Sequence, residues 1–264
     1  ILPIILSPLI SKNTKIILRI SGLPKLTIIR IFIWKLFSKY IYRVTAPTQK
    51  TLEMLKKSKI FDQDKIILLR DPAIDKREIS KNKLIKLPNK FKDKTFILSI
   101  GRLTGQKNFE FLIKMFSKYK RIINVDYLLI IGDGEEKLRL QKIINHLNCK
   151  NSIFLLGFQK NVYNYINRCQ TLVSVAEYED PGFSLLEAAY LKKKIITSLV
   201  DNGPRDMKIN GDLCYFFSFN NEKSFLKAVK NSKNKNLKKI RDAQKYANQF
   251  SILSHTTKLQ KILI

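Results

Sequence analysis

The feature that most narrows the fold is an alternation of short β-branched runs with amphipathic stretches through nearly the whole chain. Lys15–Ile20 (KIILRI) reads as a strand, Leu26–Tyr40 as a helix and Tyr42–Thr45 as a strand. Pro47–Ser58 then reads as a helix and Lys65–Leu69 as a strand. Asp71–Lys94 breaks the pattern with two prolines, many charges and no sustained period. Strands are then expected at Thr95–Ile100, Tyr127–Ile131, Ile153–Leu156, Thr171–Val175, Lys194–Thr197 and Leu213–Phe217. Between and after them lie helical stretches at Asn108–Tyr119, Glu135–Leu147, Asn161–Asn167, Phe183–Leu191, Glu222–Asn231 and Leu237–Phe250. Continuous apolar strands separated by helices imply a parallel sheet covered on both faces, hence an α/β fold of the doubly wound kind. The expected organisation is a partial domain over 1–72, a linker over 73–93, a complete domain over 94–250 and a terminal helix over 251–264.

Composition removes several function classes. At 264 residues the chain has room for about two domains. With 45% hydrophobic residues it can build a core. Apolar runs such as Ile1–Leu6 and Leu128–Ile131 stop far short of the ~20 residues of a spanning helix. Cys149, Cys169 and Cys214 are scattered and lack CxxC spacing, so neither a disulfide framework nor a zinc site is indicated. A reducing, cytoplasmic compartment is the default expectation.

Lys and Arg number 50 against 21 Asp and Glu, a net charge of +29. Such a surplus suits nucleic acid. Here, however, the cations are mostly Lys, spread along every segment beside abundant Ile and Asn, as a low-G+C genome produces, and no nucleic-acid-binding motif accompanies them. Nucleic acid is therefore not an expected partner. Peripheral contact with an anionic membrane surface fits better. Leu26–Arg43 interleaves Arg30, Lys35, Lys39 and Arg43 with Ile, Phe, Trp and Tyr. Read helically it is either a lipid-lying helix or a domain helix with one buried face.

Doubly wound sheets bind ligands beyond the carboxyl ends of their strands, so the loops there carry the chemistry. After Thr95–Ile100 comes GRLTGQK, in which Gly101 permits a tight turn while Arg102 and Lys107 flank a helix start. Two cations beside a positive helix end suit a diphosphate, unless they are simply solvated surface charges. Gly132-Asp133-Gly134-Glu135 follows the next strand, its glycines allowing a sharp turn and close approach of a ligand. Gly157-Phe158 follows the third strand. The richest loop is Glu179-Asp180-Pro181-Gly182-Phe183-Ser184-Leu185-Leu186-Glu187 after Thr171–Val175. Its carboxylates, Glu179 and Glu187, can accept from sugar and ribose hydroxyls, or can be a capping cluster and a solvated helix residue. Asp201-Asn202-Gly203-Pro204-Arg205-Asp206 is a turn into a helix.

Together GRLTGQK, IIGDGEE, LLGF, EDPGFSLLEAA and NGPRDM stand in the order and rough spacing of retaining GT-B glycosyltransferases, and the chain resembles glycosyltransferase family 4 from about residue 15 to 250. The wording is similar to bacterial members that build surface polysaccharide. The resemblance implies two Rossmann-like domains, the first incomplete, with the terminal helix packing back on it. It implies that Arg102 and Lys107 bind the diphosphate of a nucleotide sugar, that Glu179 contacts the donor sugar and that Glu187 holds the ribose. Backbone N–H groups around Gly182, Phe183 and Ser184 would touch sugar or phosphate. Gly101 would line the donor site, and Asp133, Gly134, Gly157 and Phe158 would lie near the base. No metal and no further cofactor is implied, since the two cations replace the ion. Asp62-Gln63-Asp64, the chain's DxD, precedes a strand and reads as a surface turn.

The family's first domain also carries a Gly-rich loop and often a histidine facing the donor. The only histidines here are His146 and His255, both outside that half. The chain begins at Ile1 inside an apolar run, and its first half is short for a domain. The expectation is a sequence lacking its amino-terminal portion and most of the acceptor site. The partners expected are a nucleotide sugar and a glycan or lipid-linked acceptor. The alternatives are an inactive GT-B-like binding subunit and a GT-B-type nucleotide-sugar epimerase.

Overall fold

The computed structural model describes residues 14–21, 26–234 and 236–264. The run Ile1–Leu6 and residues 22–25, before the expected helix at Leu26–Tyr40, lie outside them. The chain divides into two units, Ile1–Pro72 with Ile252–Ile264, and Ala73–Ser251.

In the first unit β1 (Ile17–Arg19), β2 (Arg43–Ala46) and β3 (Ile66–Leu68) pair in parallel in that order, with Leu18, Val44 and Ile66 in register. Helix α1 (Ile28–Phe37) starts at Thr27, whose hydroxyl accepts from the Arg30 N–H, and it buries Trp34 against Phe61. Helix α2 (Gln49–Ser58) is capped in the same way by Thr48 and buries Leu52 and Leu55. Arg19 grips the buried Asp71 through two N–H···O bonds. The C-terminal helix Ile252–Leu263 belongs to this unit, where the His255 Nδ1 lies 2.7 Å from the Arg70 carbonyl. That places one histidine in the first unit, where linear order had placed none. Asp62 pairs with Lys65 at 3.3 Å in the turn before β3.

The second unit holds six parallel strands, β4 (Phe96–Ile100), β5 (Tyr127–Ile131), β6 (Ile153–Leu155), β7 (Thr171–Ser174), β8 (Lys194–Ser198) and β9 (Tyr215–Phe217). They are ordered β6-β5-β4-β7-β8-β9. Alternate residues feed opposite cores. Phe96, Leu98, Leu129 and Leu172 pack on one face, and Ile97, Leu128, Ile130 and Val173 on the other. Both faces are thus dry, which is why the strands read as unbroken apolar runs.

The 73–93 segment differs from the linker expected of it. It forms helix α3 (Lys76–Asn82) and a single turn, α4 (Asn89–Lys92). Asp75 caps α3 by accepting from the Arg77 and Glu78 N–H groups. Ile74, Ile79, Leu87 and Phe91 enter the second unit's core, and the Ile74 N–H donates to the Phe250 carbonyl at 2.9 Å. Helices of seven and four residues are too short to display a period, so charge alone showed in the sequence. Cys169 and Cys214 are buried in the same core, and burial pushes the Cys169 thiol up to about 12, so they act as small apolar side chains.

Candidate functional site

Helices α5 (Phe109–Ile123), α6 (Lys137–His146) and α7 (Tyr163–Arg168) follow β4, β5 and β6, and α8 (Phe183–Tyr190) follows β7. From β4 the chain crosses to β5 on one side, while β7 lies on the other, so the loops after β4 and β7 diverge at the switch point of the sheet. These two loops are tied together. The Glu177 N–H donates to the Gln106 carbonyl at 2.9 Å, and the Gln106 side-chain amide donates to the Tyr178 carbonyl at 2.9 Å. Lys107 Nζ lies 2.7 Å from Glu179 Oε1, which also accepts from the Ser174 hydroxyl at 3.3 Å.

A third loop supports Glu179 from behind. The Gly203 N–H, at the start of α9 (Gly203–Ile209), donates to the Glu179 carbonyl at 3.0 Å. A Cβ at Gly203 would stand 1.9 Å from the Pro181 carbonyl oxygen, so only glycine allows this approach.

Arg102, Lys107, Glu179 and Glu187 all line one hollow of about 680 Å³, with Gly101, Phe183 and Ser184 on its wall. The Lys107 stem lies over Gly101, where a Cβ would meet it at 3.2 Å. Arg102 is exposed, and among the described residues no carboxylate pairs with it. Gly182, at φ 84°, caps α8 by accepting from the Leu185 and Leu186 N–H groups, which leaves those of Phe183 and Ser184 without a partner in the helix. The hollow therefore combines two cations, a helix start and four acidic side chains, Glu135, Glu179, Asp180 and Glu187, a set suited to a diphosphate bearing hydroxylated groups at both ends.

The carboxylates differ in environment. Burial pushes Glu187 up to about 7, and a hydrogen bond from the Tyr163 hydroxyl holds it back from rising further. Burial and the neighbouring Glu187 charge push Tyr163 up to about 12 in turn. Tyr163 comes from α7, and nothing in its local sequence marks it. Only the packing of α7 beside α8 brings it there.

Five expected donor-side residues, Asp133, Gly134, Gly157, Phe158 and Gly182, stand apart from the wall of the hollow. The Asp133 carboxylate pairs with Lys137 at 2.9 Å and accepts from the Gly134 N–H, contacts that hold it below the usual carboxylate range. Phe158 is 79% exposed. The glycines serve contact between turns. A Cβ on Gly132 would lie 1.9 Å from the Gly101 carbonyl oxygen, and one on Gly134 would lie 2.5 Å from that of Leu103. The Gly132 N–H donates to the Gly157 carbonyl. Close approach was legible in these glycines, but the approaching group is backbone. Glu135, beside them, does line the hollow.

The family model for glycosyl transferases group 1 matches residues 80–250. The chain belongs to this family. This group 1 protein is 33% identical over 217 residues to an uncharacterized glycosyltransferase of Methanocaldococcus jannaschii, covering 75% of this chain and 51% of the relative. It is 31% identical over 160 residues to the N-acetylgalactosamine-N,N'-diacetylbacillosaminyl-diphospho-undecaprenol 4-alpha-N-acetylgalactosaminyltransferase of Campylobacter jejuni, covering 60% of this chain and 42% of that one. The group 1 chain thus spans about half the length of these relatives. Among solved structures, HepE of Anabaena in complex with UDP superposes with a TM-score of 0.77 at 14% identity, covering 99% of this chain and 74% of that one. A glycosyltransferase of Rickettsia africae gives 0.74 at 19%, covering 95% and 70%. The fold is of the GT-B type, with parallel sheets in Rossmann-like units.

Proposed function

We propose that this chain is the donor-binding part of a retaining, family 4 glycosyltransferase. It moves a hexosyl or N-acetylhexosaminyl group from a nucleotide diphosphate sugar to a glycan or lipid-linked acceptor in surface polysaccharide synthesis, at the cytoplasmic face of the membrane. The observation that carries this reading is the shared hollow, where Arg102, Lys107, Glu179 and Glu187 converge from the ends of β4 and β7. The C. jejuni relative, named for transfer onto a diphospho-undecaprenol glycan, supports the acceptor class.

Arg102 offers a fork to the diphosphate and Lys107 a point charge, so negative charge developing on the leaving group is stabilised without a metal ion. Lys107 also contacts Glu179, which puts one ammonium within reach of both the diphosphate and the carboxylate that holds the donor sugar. Glu187 accepts from the ribose diol. In a retaining reaction of this kind the acceptor hydroxyl attacks the face that the leaving group departs, and its proton passes to a phosphate oxygen. No protein base is needed.

The test uses the full-length gene product with a panel of UDP-, GDP- and ADP-sugars and a membrane extract as acceptor source. One donor is expected to turn over, with the product keeping the donor's anomeric configuration by NMR. Lys107→Ala and Glu179→Ala should each abolish turnover while circular dichroism stays unchanged. Wild-type rates in both variants would overturn the site, and an inverted anomer would overturn the mechanism.

A further inference from the structure

Asn202, in the loop between β8 and α9, is wholly buried, and neither its side-chain oxygen nor its side-chain nitrogen has a hydrogen-bond partner among the described residues. No other described side chain leaves two buried polar atoms in this state. An amide taken out of water is ordinarily bonded inside the protein, because its lost hydration is otherwise uncompensated.

The backbone of Asn202 is also unfavourable, at φ 69° and ψ −115°. Asn108 and Asn124 have positive φ as well, but at ψ 35° and 55° they lie in the left-handed region that asparagine tolerates. Asn202 lies outside that region, in one that glycine enters freely and that a residue with a Cβ avoids. Glycine would suit the backbone here and would leave no amide to bury.

The surroundings show which part of the site this residue backs. Asn202 pairs with Glu179 in a parallel bridge, and the next N–H, that of Gly203, donates to the Glu179 carbonyl at 3.0 Å. The strained loop therefore lies against the segment that carries Glu179 and Asp180 to the wall of the hollow. A residue that weakens the fold directly behind a functional carboxylate is explained if its amide gains partners when that segment engages its ligand.

We propose that Asn202 is a positioning residue for the sugar end of the donor, its amide becoming hydrogen-bonded when a donor sugar engages Glu179. The proposal rests on the reading of the hollow as a donor site. Asn202 does not line the hollow, so it acts through the backbone of Glu179 and its neighbours and does not touch the sugar.

The experiment uses the full-length gene product, with UDP, GDP and ADP as nucleotide probes and the UDP-, GDP- and ADP-sugar panel as donors. Asn202→Gly should raise the thermal midpoint of the protein alone by about two degrees or more, because it removes both unfavourable features. The same variant should lower kcat about tenfold or more, while the Kd of the nucleoside diphosphate stays within about twofold of wild type. The donor that turns over should raise the wild-type midpoint beyond the rise given by its nucleotide alone, and Asn202→Gly should lose that extra rise. A residue with only a structural part would move stability and turnover in the same direction. Asn202→Ala, which deletes the amide and keeps the unfavourable backbone, should lose turnover to the same extent without the gain in midpoint. A midpoint that Asn202→Gly does not raise, or a kcat that it does not lower, overturns the proposal and leaves the donor site standing. A wild type that binds none of the three nucleotides overturns the donor site, and the proposal with it.

Discussion

Glu179 and Glu187 lie eight residues apart in one loop-helix segment and line the same hollow, yet opposite physics holds them. Glu179 is fixed by partners. Its carboxylate meets Lys107 and the Ser174 hydroxyl, and its carbonyl accepts from Gly203. Glu187 is governed by lack of solvent, with the Tyr163 hydroxyl as its counterweight and burial pushing it up to about 7. One carboxylate of the hollow is therefore held by direct contacts, while burial raises the other to about 7.

Three measurements would break or sharpen that contrast. The largest effect is expected from Gly203→Ala, which drives a methyl into the Pro181 carbonyl 1.9 Å away. It should cost about 3 kcal/mol of stability and displace Glu179, with donor binding lost and Tyr163 and Glu187 undisturbed. Near-wild-type unfolding would mean that the third loop does not hold Glu179 in place.

Glu187→Gln comes next. The folded carboxyl at about 7 keeps a proton that the unfolded chain, at about 4.5, releases between those values. The resulting stabilisation is full below 4.5 and is lost as pH rises through 7, amounting to at most about 3 kcal/mol. Thermal midpoints measured from pH 5 to 8 should fall more steeply in the wild type than in the Gln variant. Nucleotide affinity should run the other way in the wild type, strengthening as Glu187 ionises, and should be flat in the variant. Parallel curves for the two proteins would place Glu187 in solvent.

The smallest effect belongs to Tyr163→Phe. Removing a hydrogen bond to the ionised carboxylate raises its proton affinity, by about 1 kcal/mol or less. The midpoint of the nucleotide-binding curve should therefore move upward by under ~1 pH unit, with the plateau at high pH unchanged. A downward move would contradict the contact.

The fold was readable because a sheet buried on both faces writes itself as apolar runs, and Tyr127–Ile131 has the same limits in sequence and structure. The organisation at 73–93 was not readable, because Ile79 and Phe91 each sit on a helix too short to repeat. At the hollow, Arg102, Lys107 and Glu179 were legible as loop residues at strand ends, and Glu187 as a residue of the helix that follows. Tyr163 was hidden, since its role depends on which helix packs beside α8. Gly132 and Gly134 showed the need for close approach without showing what approaches. In helix α1 Trp34 is buried while Phe32 and Leu36 are exposed, so its apolar residues do not all serve the core.

The bonds that join Lys107 to Glu179 and Gln106 to Tyr178 each bridge seventy-two positions of chain. The pocket therefore exists only after the fourth and seventh strands have found each other, and no shorter stretch of polypeptide can form a rudimentary version of it. Whatever occupies it acts as a clasp on the most distant strand pairing of the six-stranded sheet. Saturation at a hundredfold over the dissociation constant would add about 2.7 kcal/mol to that closure. Ligand-induced protection from proteolysis would thus appear far from the ligand, along the seam where β4 meets β7.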